Sequence, residues 1–282
     1  MESPLVLSHR QVEPVLAARR QGVTSARLSP DLGLSEVEVA LCAEFVQFPD
    51  GQTLDWTQLA VIAAAERQCF IVEHGQVSKI QRFSEATNRL IGLVPTASAP
   101  AMQISGLLMH RIKDTTPDRD TQSKVQAIAP IVGRVLDTMT GLGYTAIAAA
   151  KTAKAVVTIE LDPAVLAVAR RNPWSRALFE NPKITQIAGD SAVEVTRFAD
   201  DTFARILHDP PTFDLAGELY AGAFYRELFR ILQRGGRLFH YIGNLDSRSG
   251  RSVATGVLRR LQDAGFRRVT TRPEAFGVIA TK

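Results

Sequence analysis

Strands and helices alternate along the second half of the sequence, and this alternation limits the fold more than any other feature. Five short, nearly continuous apolar runs are predicted strands, at 134–138, 155–161, 183–188, 203–208 and 236–242. Helical patterns follow them, near 144–153, 163–171, 191–198, 218–233 and 250–264. Strand–helix–strand units need crossover connections, and unbroken apolar runs are typical of strands covered on both faces. The pattern therefore predicts an α/β protein with a doubly wound, mostly parallel sheet.

The two ends of the chain depart from this alternation. "RRVTTRP" and "AFGVIATK" are two strands with a short turn between them, which predicts a C-terminal antiparallel hairpin and a seven-stranded sheet. Earlier, alternating runs and the turn signals "PDGQ" and "HGQ" predict hairpins, with helices around 9–20 and 55–67. We predict a small α+β domain over residues 1–100, a Pro/Ser/Ala-rich linker at 95–100, and an α/β domain over residues 101–282.

Composition narrows the class of protein. The 282 residues are 45% hydrophobic and 22% charged, which is typical of a globular protein. Cys42 and Cys69 provide neither a disulfide framework nor a metal-ligand spacing, so we expect a reducing compartment and no metal. No apolar run reaches the ~18 residues of a membrane span, and the N-terminus does not resemble a signal peptide. These features predict a cytoplasmic protein without a membrane partner.

A glycine turn joins the first strand of the α/β domain to a helix in "VLDTMTGLGYTAIAAAK", residues 135–151. Gly141 and Gly143 allow a sharp turn and a close approach to a ligand, and together with Ala146 they fit G-x-G-x-x-A. A tight turn without a ligand gives the same pattern. Glu160 ends the second strand, where a carboxylate is placed to bind ribose hydroxyls.

Asp190 ends the third strand, and two roles remain open for it: contact with an adenine amino group, or capping of the next helix. Asp118, Asp120 and Lys124 lie on the helix before the first strand and receive no definite role.

These motifs resemble those of the class I S-adenosylmethionine-dependent methyltransferase superfamily over residues 118–282. The shared features are the acid-plus-glycine loop, the acids that end strands two and three, the motif after strand four and the closing hairpin. The family loop D-x-G-x-G-x-G reads "DTMTGLG" here, with Met139 in place of the first glycine. "DTMTGLGYTA" and "HDPPTF" also resemble a set of prokaryotic predicted methyltransferases. The resemblance implies a Rossmann-like methyltransferase domain.

The resemblance also implies S-adenosylmethionine as the cofactor and S-adenosylhomocysteine as the by-product. Asp137 would approach the methionine amino group, for which a carboxylate is the matching partner. The same carboxylate would repel the pyrophosphate of NAD, which favours S-adenosylmethionine over a dinucleotide. The cofactor-binding residues that the resemblance implies are Asp137, Thr138, Gly141, Gly143, Tyr144, Glu160, Leu161, Asp190, Ser191 and Asp209.

"ILHDPPTF" places a carboxylate and two prolines after the fourth strand, at the region where open α/β sheets bind ligands. Enzymes that methylate amino or amide nitrogens have a similar [DN]-P-P-[FYW] loop, whose side chain and proline carbonyl orient the acceptor nitrogen. Asp209 and Pro210 are therefore the predicted catalytic residues. Thr212 and Phe213 stand where the family has an immediate aromatic residue. A structural loop capped by Asp209 is the alternative.

A second resemblance keeps the reaction type open. The segment 214–239 is similar to the aminopropyltransferases of polyamine synthesis, which use decarboxylated S-adenosylmethionine; there Asp209 would deprotonate an amine. A subunit that binds the cofactor without turnover is a third alternative. The methyl acceptor stays open among a small molecule, RNA and a protein. The N-terminal domain is a candidate surface for RNA, a protein or self-association. The arginines of 226–268 fit either nucleic acid or solvated helix faces.

Overall fold

The computed structural model describes residues 4–211, 216–245 and 247–282, which form two compact units. One unit comprises residues 4–117 and 164–176, and the other comprises the described residues of 118–163 and 177–282. Thr212 and Phe213, which depart from the family motif, lie outside the described residues. Every helix in the described ranges is too short or too polar to span a bilayer.

The first unit contains, within its described residues, three antiparallel sheets with the strand orders β1-β6-β7, β2-β3-β4-β5 and β11-β10-β9-β8. The elements of this unit are β1 (Leu5–Leu7), α1 (His9–Arg20), β2 (Ser25–Leu28), β3 (Val37–Leu41), β4 (Phe45–Gln47), β5 (Thr53–Asp55), α2 (Trp56–Ala63), β6 (Phe70–Glu73), β7 (Gln76–Lys79), β8 (Gln81–Ser84), β9 (Arg89–Val94), β10 (Ala101–Ile104) and β11 (Leu107–Leu108).

Local sequence signals account for most of these elements. Ser8 caps α1 and Asp55 caps α2, each within a capping box, because each side chain accepts a backbone N–H of the first turn. "PDGQ" and "HGQ" are the turns before β5 and β7. The Pro/Ser/Ala-rich stretch at 95–100 connects β9 to β10, which pair antiparallel. The sheet therefore continues across residue 100, where the sequence placed a linker and a domain boundary. Composition identified a loop there but not the pairing of its flanks.

The chain from Pro117 onward alternates between helices and strands as predicted. Its elements are α3 (Pro117–Ala127), β12 (Arg134–Asp137), α4 (Tyr144–Ala150), β13 (Ala155–Glu160), α5 (Pro163–Arg170), α6 (Arg176–Glu180), β14 (Ile184–Ala188), α7 (Ser191–Glu194), β15 (Phe203–His208), α8 (Gly222–Ile231), β16 (Leu232–Tyr241), α9 (Arg248–Asp263), β17 (Arg267–Arg272) and β18 (Gly277–Thr281). Short 3-10 turns occur at 173–175, 195–197, 217–220 and 273–275.

The strands of the second unit form one sheet, with seven strands among the described residues, in the order β14-β13-β12-β15-β16-β18-β17. The first five strands are parallel, β18 is antiparallel to β16, and β17 is antiparallel to β18. The prediction of an α/β protein with a large, mainly parallel sheet is confirmed. Since β12 pairs with both β13 and β15, the winding of the chain reverses between β12 and β15.

The core of this unit explains why its strands are unbroken apolar runs. Leu136 of β12, Ile206 of β15 and Leu238 of β16 are fully buried, and so are Tyr225 and Leu228 of α8. Burial of apolar surface on this scale is the main stabilising contribution to such a sheet. The strands therefore form a rigid support, and the polar residues that follow them are placed along its carboxyl edge.

Candidate active site at the carboxyl edge of the sheet

Four predicted acidic site residues end or follow adjacent parallel strands. Asp137 ends β12, Glu160 ends β13, and Asp190 and Asp209 follow β14 and β15. Because the carboxyl ends of parallel strands meet at one edge, the sheet brings these residues to the same edge. The reversal of winding between β12 and β15 makes that edge the usual ligand crevice of an open α/β sheet.

Asp137 points into the protein. Its side chain is fully buried, and its two oxygens accept hydrogen bonds from Thr145 Oγ1 at 3.2 Å and Thr158 Oγ1 at 2.9 Å. The pKa of Asp137 is raised to about 8, mainly by burial and further by the nearby charges of Asp209 and Glu160, while the two hydroxyl donors oppose the shift. An ionised Asp137 is therefore unfavourable without a neighbouring cation. Its predicted contact with a cofactor amine stays a prediction.

The loop after β12 requires glycine for two reasons. Gly141 and Gly143 have φ of +52° and +77°, in the left-handed region that favours glycine. A Cβ on Gly143 would also lie 2.7 Å from the Leu178 side chain. Tyr144, another predicted cofactor residue, begins α4 and is buried. The missing first glycine, replaced by Met139, leaves this part of the loop intact.

Glu160 closes the loop onto the second strand. Its carboxylate accepts the Gly141 N–H at 2.9 Å and the Asp162 N–H at 3.0 Å. Burial raises the pKa of Glu160, and these backbone donors oppose the shift. The next residue, Leu161, has 55% of its surface exposed, which leaves an apolar side chain beside the loop. Glu160 thus has a structural role in addition to its predicted contact with ribose.

Three other predicted cofactor residues form hydrogen bonds within the protein. Asp190 accepts the Ala192 N–H at 2.8 Å and caps α7, one of the two roles left open for it. Ser191 Oγ donates to the Thr138 carbonyl. The Thr138 side chain is fully buried and contacts His208 Nδ1 at 2.7 Å. These contacts fix the loop after β12, and contact of these residues with a cofactor stays a prediction.

Asp209 is paired with a lysine that the sequence analysis left without a role. Lys124 Nζ lies 2.6 Å from Asp209 Oδ2 and 2.8 Å from Asp120 Oδ2. Burial alone would lower the pKa of Lys124, but Asp209 and Asp120 outweigh it and raise that pKa. Burial raises the pKa of Asp209, and Lys124 opposes this shift. Nζ also lies 4.4 Å from the centre of the Tyr241 ring, within cation–π distance.

The residues around Asp209 are fastened to the core. Tyr220 donates its hydroxyl to the Pro211 carbonyl at 2.9 Å, and Pro210 is buried. His208 Nε2 contacts the Leu219 carbonyl at 3.0 Å; because a carbonyl only accepts, Nε2 carries the proton. Burial lowers the pKa of His208 to about 3, so this histidine is neutral. It positions the loop and has no proton to exchange near neutral pH.

Solved structures define the class of fold. The chain is similar to the spermidine synthase from Thermotoga maritima, with 17% identity and a TM-score of 0.56 over 71% of this chain and 70% of that one. It is similar to a spermidine synthase in complex with the transition state analogue AdoDATO, with 19% identity and a TM-score of 0.55 over 68% and 69%. MNMC2 from Aquifex aeolicus has 16% identity and a TM-score of 0.50 over 68% and 70%. The chain has the Rossmann-like fold of these transferases.

Sequence similarity then identifies the family. The chain is 40% identical over 241 residues to the uncharacterized protein MJ1233 of Methanocaldococcus jannaschii, which covers 85% of this chain and 82% of that protein. The chain belongs to the family of MJ1233. No family model matches the chain. In the part of the chain that the structure describes, no group of three or more His, Cys, Asp or Glu side chains is arranged to hold a metal ion.

Proposed function

We propose that this chain is an S-adenosylmethionine-dependent methyltransferase whose acceptor atom is nitrogen. The observation that carries the proposal is the placement of Asp137, Glu160 and Asp209 along one edge of the sheet, where their charges influence one another. A ligand that carries an ammonium and a sulfonium matches this edge, whereas the pyrophosphate of a dinucleotide is repelled by it. The donor and acceptor chemistry of the site therefore fits S-adenosylmethionine.

Each part of the cofactor has a candidate partner. Glu160 would hold the ribose hydroxyls, Asp137 the amino group, and Leu161 would provide apolar surface for the adenine. Gly141 and Gly143 would let the backbone approach the ligand. The bound cofactor supplies an electrophilic methyl group on a sulfonium.

Asp209 and Pro210 would orient the acceptor. A carboxylate has about four lone-pair sites, and Lys124 uses only Oδ2 of Asp209. The remaining sites can accept N–H bonds from an amino or amide group. Hydrogen bonds of this kind fix the direction of the nitrogen lone pair, which is a contribution of orientation.

Aminopropyl transfer is the second candidate, because the fold is similar to that of spermidine synthases. In that reaction a substrate amine attacks a propyl carbon of decarboxylated S-adenosylmethionine, and Asp209 would accept the proton that the amine loses. The two candidate reactions would use the same cofactor site at the carboxyl edge of the sheet and differ in the group that is transferred.

The purified chain should be incubated with each cofactor and a pool of polyamines, nucleosides, RNA and proteins, with products followed by mass spectrometry. S-adenosylhomocysteine and a methylated product support our proposal. Methylthioadenosine with a lengthened polyamine contradicts it and supports aminopropyl transfer. Cofactor binding without turnover by the chain alone supports the third alternative, a binding subunit.

Asp209→Asn tests the site within the same assay. We expect transfer to fall by ~10²-fold or more, since positioned catalytic groups contribute roughly 10²–10⁴-fold, while cofactor affinity is retained. Asp263→Asn, at an exposed position at the end of α9, is the matched control. Full transfer activity in Asp209→Asn would remove Asp209 from the proposed mechanism.

The cytoplasmic location, the acceptor class and self-association through residues 1–100 are proposals that rest on the sequence. The location is inferred from the two free cysteines and self-association from the separate N-terminal domain. Light scattering of the full chain measures its oligomeric state, and the labelled product of the transfer assay identifies the acceptor.

A further inference from the structure

Helix α3 carries a buried charge into the candidate active site. Lys124 is 5% exposed and Asp120 is 3% exposed, whereas the Asp209 side chain is 25% exposed. Removing an ammonium from water is costly unless the charge is paired and hydrogen-bonded. Lys124 satisfies this condition with two carboxylates, one from its own helix and one from the loop after β15. Asp209 is the only member of the three that reaches the surface.

The end of α3 is held against the same strands that position Asp209. Arg205 of β15 donates through Nε to the Ile128 carbonyl at 2.9 Å and the Pro130 carbonyl at 3.0 Å. Arg237 of β16 donates to the Ala129 carbonyl between them. Guanidinium groups therefore bind three successive carbonyls just after the helix. Since Arg205 lies on β15 and Asp209 follows that strand, the segment just after α3 is hydrogen-bonded to the strand that leads to Asp209, and Lys124 of α3 is hydrogen-bonded to Asp209 itself.

We propose that Lys124 is a positioning residue that binds Oδ2 of Asp209 and thereby directs Oδ1 to the nitrogen of the acceptor. Among the described residues, none donates a hydrogen bond to Oδ1. An unpaired aspartate rotates about its terminal torsion and exchanges its two oxygens, whereas a bond at 2.6 Å selects one arrangement. This inference rests on the proposed function of Asp209.

Lys124 also favours the charged form of Asp209, because its ammonium opposes the rise in the pKa of Asp209 that burial causes. Among the described residues, the charged and titratable groups that influence Asp209 or are influenced by it are Lys124 and Asp120 on α3, Asp137 on β12 and Tyr220 in the 3-10 turn before α8. Loss of Lys124 leaves burial unopposed and raises the pKa of Asp209. Loss of Asp120 removes a like charge and lowers that pKa. The two changes therefore move the titration of Asp209 in opposite directions. If the three charged residues had only a structural role, the pH dependence of the reaction rate would not follow these shifts.

The kinetic test compares Lys124→Met, Lys124→Arg and Asp120→Asn with the wild type. In Lys124→Met we expect kcat to fall by roughly 10–100-fold, the scale observed when the outer partner of a reacting group is lost at metal sites. Cofactor affinity should be retained, since α3 contributes no predicted cofactor contact. The acid limb of the pH–rate profile moves to higher pH in Lys124→Met, stays in place in Lys124→Arg and moves to lower pH in Asp120→Asn. Lys154→Met, at an exposed position, is the control.

A second measurement does not depend on turnover. Carboxyl carbons of aspartate are labelled with carbon-13, and the Asp209 resonance is assigned by its loss in Asp209→Asn. We expect this resonance to titrate at higher pH in Lys124→Met than in the wild type. If Lys124→Met does not fold, Lys124→Gln serves instead, because its amide still donates to Asp209 but carries no charge.

The outcomes separate this inference from the proposed function. A wild type that transfers no group to any acceptor contradicts the function, while the NMR titration still tests the pair. An active wild type whose folded Lys124 variants keep its kcat and its acid limb, with the Asp209 titration unchanged, overturns the role of Lys124.

Discussion

The replacement of Asp137 by Asn tests whether the buried carboxyl at the end of β12 faces the cationic part of the cofactor. The variant should fold, because the Thr145 and Thr158 hydroxyls that now donate to the carboxylate can rotate to accept from an amide. The substitution therefore replaces an ionisable carboxyl with a neutral amide, with little change in volume or hydrogen bonding. Its effect on binding then reports the charge of Asp137.

The expected signal is a proton released on binding. Burial raises the pKa of Asp137 to about 8, so at pH 7 roughly nine-tenths of the free protein is protonated at this residue. A bound ammonium favours the charged form and lowers that pKa. If Asp137 is fully ionised in the complex, binding releases about 0.9 proton at pH 7 and about 0.1 at pH 9.

Isothermal titration calorimetry in buffers with different ionisation enthalpies measures this proton. The amino group of S-adenosylmethionine also titrates near neutral pH, but it contributes to both proteins, so the difference between wild type and Asp137→Asn isolates Asp137. We expect the wild type to release more protons at pH 7 and to bind more tightly as the pH rises towards 8. Equal proton release and equal affinity in two folded proteins would refute the assignment of Asp137 to the cation.

The same raised pKa gives a stability test without a ligand. An acid whose pKa is higher in the folded than in the unfolded protein stabilises the fold when protonated, and this contribution is lost as the pH rises through about 4 to 8. The free wild type should therefore lose thermal stability over this range relative to Asp137→Asn. If the melting temperatures of the wild type and Asp137→Asn changed in parallel from pH 5 to pH 9, the raised pKa of this buried carboxyl would be contradicted.

Two further substitutions test the glycine loop by melting temperature and cofactor affinity. Glu160→Gln leaves one of its two backbone donors facing an amide NH₂; we expect a cost of ~1–3 kcal/mol in unfolding free energy and weaker cofactor binding, with exposed Glu180→Gln unchanged as the control. In Gly143→Ala, the new side chain would stand on a backbone with a left-handed φ of +77° and its Cβ would lie 2.7 Å from Leu178, and we expect overpacking alone to lower the free energy of unfolding by ~1–3 kcal/mol. An unchanged melting temperature in either loop variant would contradict the tight packing of this loop.

The sheet was predictable because its strands carry their signal locally. β15 occupies residues 203–208 as predicted, since every residue of that strand is buried and the run is apolar almost throughout. β16 begins at Leu232, before the predicted 236, because α8 passes directly into the strand and Leu232 pairs with Phe203. "LQRG" has no strand signal of its own, so this pairing depends on the neighbouring strand. Tertiary pairing thus corrected the boundary without changing the type of element.

The placement of the acidic residues was also predictable, but their orientation was not. Parallel strands bring their carboxyl ends to one edge, so the positions of Asp137 and Glu160 after apolar runs were enough to predict that they meet. Which way each carboxylate points depends on the loops. Asp137 turns inward to threonines on α4 and β13, and Glu160 turns back to the N–H of Gly141. These hydrogen bonds join residues that are far apart in the sequence, so no local sequence pattern predicts them.

Lys124 shows what a strand-by-strand interpretation omits. The spacing of Asp120 and Lys124 is that of an ordinary surface pair on a helix, which contributes only a few tenths of a kcal/mol. The third member, Asp209, lies 85 residues further along the chain. Tertiary packing removes the lysine from water, and a buried ammonium then requires paired carboxylates. The negative charge at this edge is therefore smaller than the number of acidic residues in the sequence suggests, because Lys124, which lies outside the strands, neutralises part of it. Asp209 can still orient an amine, but with one oxygen committed to Lys124 it does so as a fixed acceptor in a defined direction.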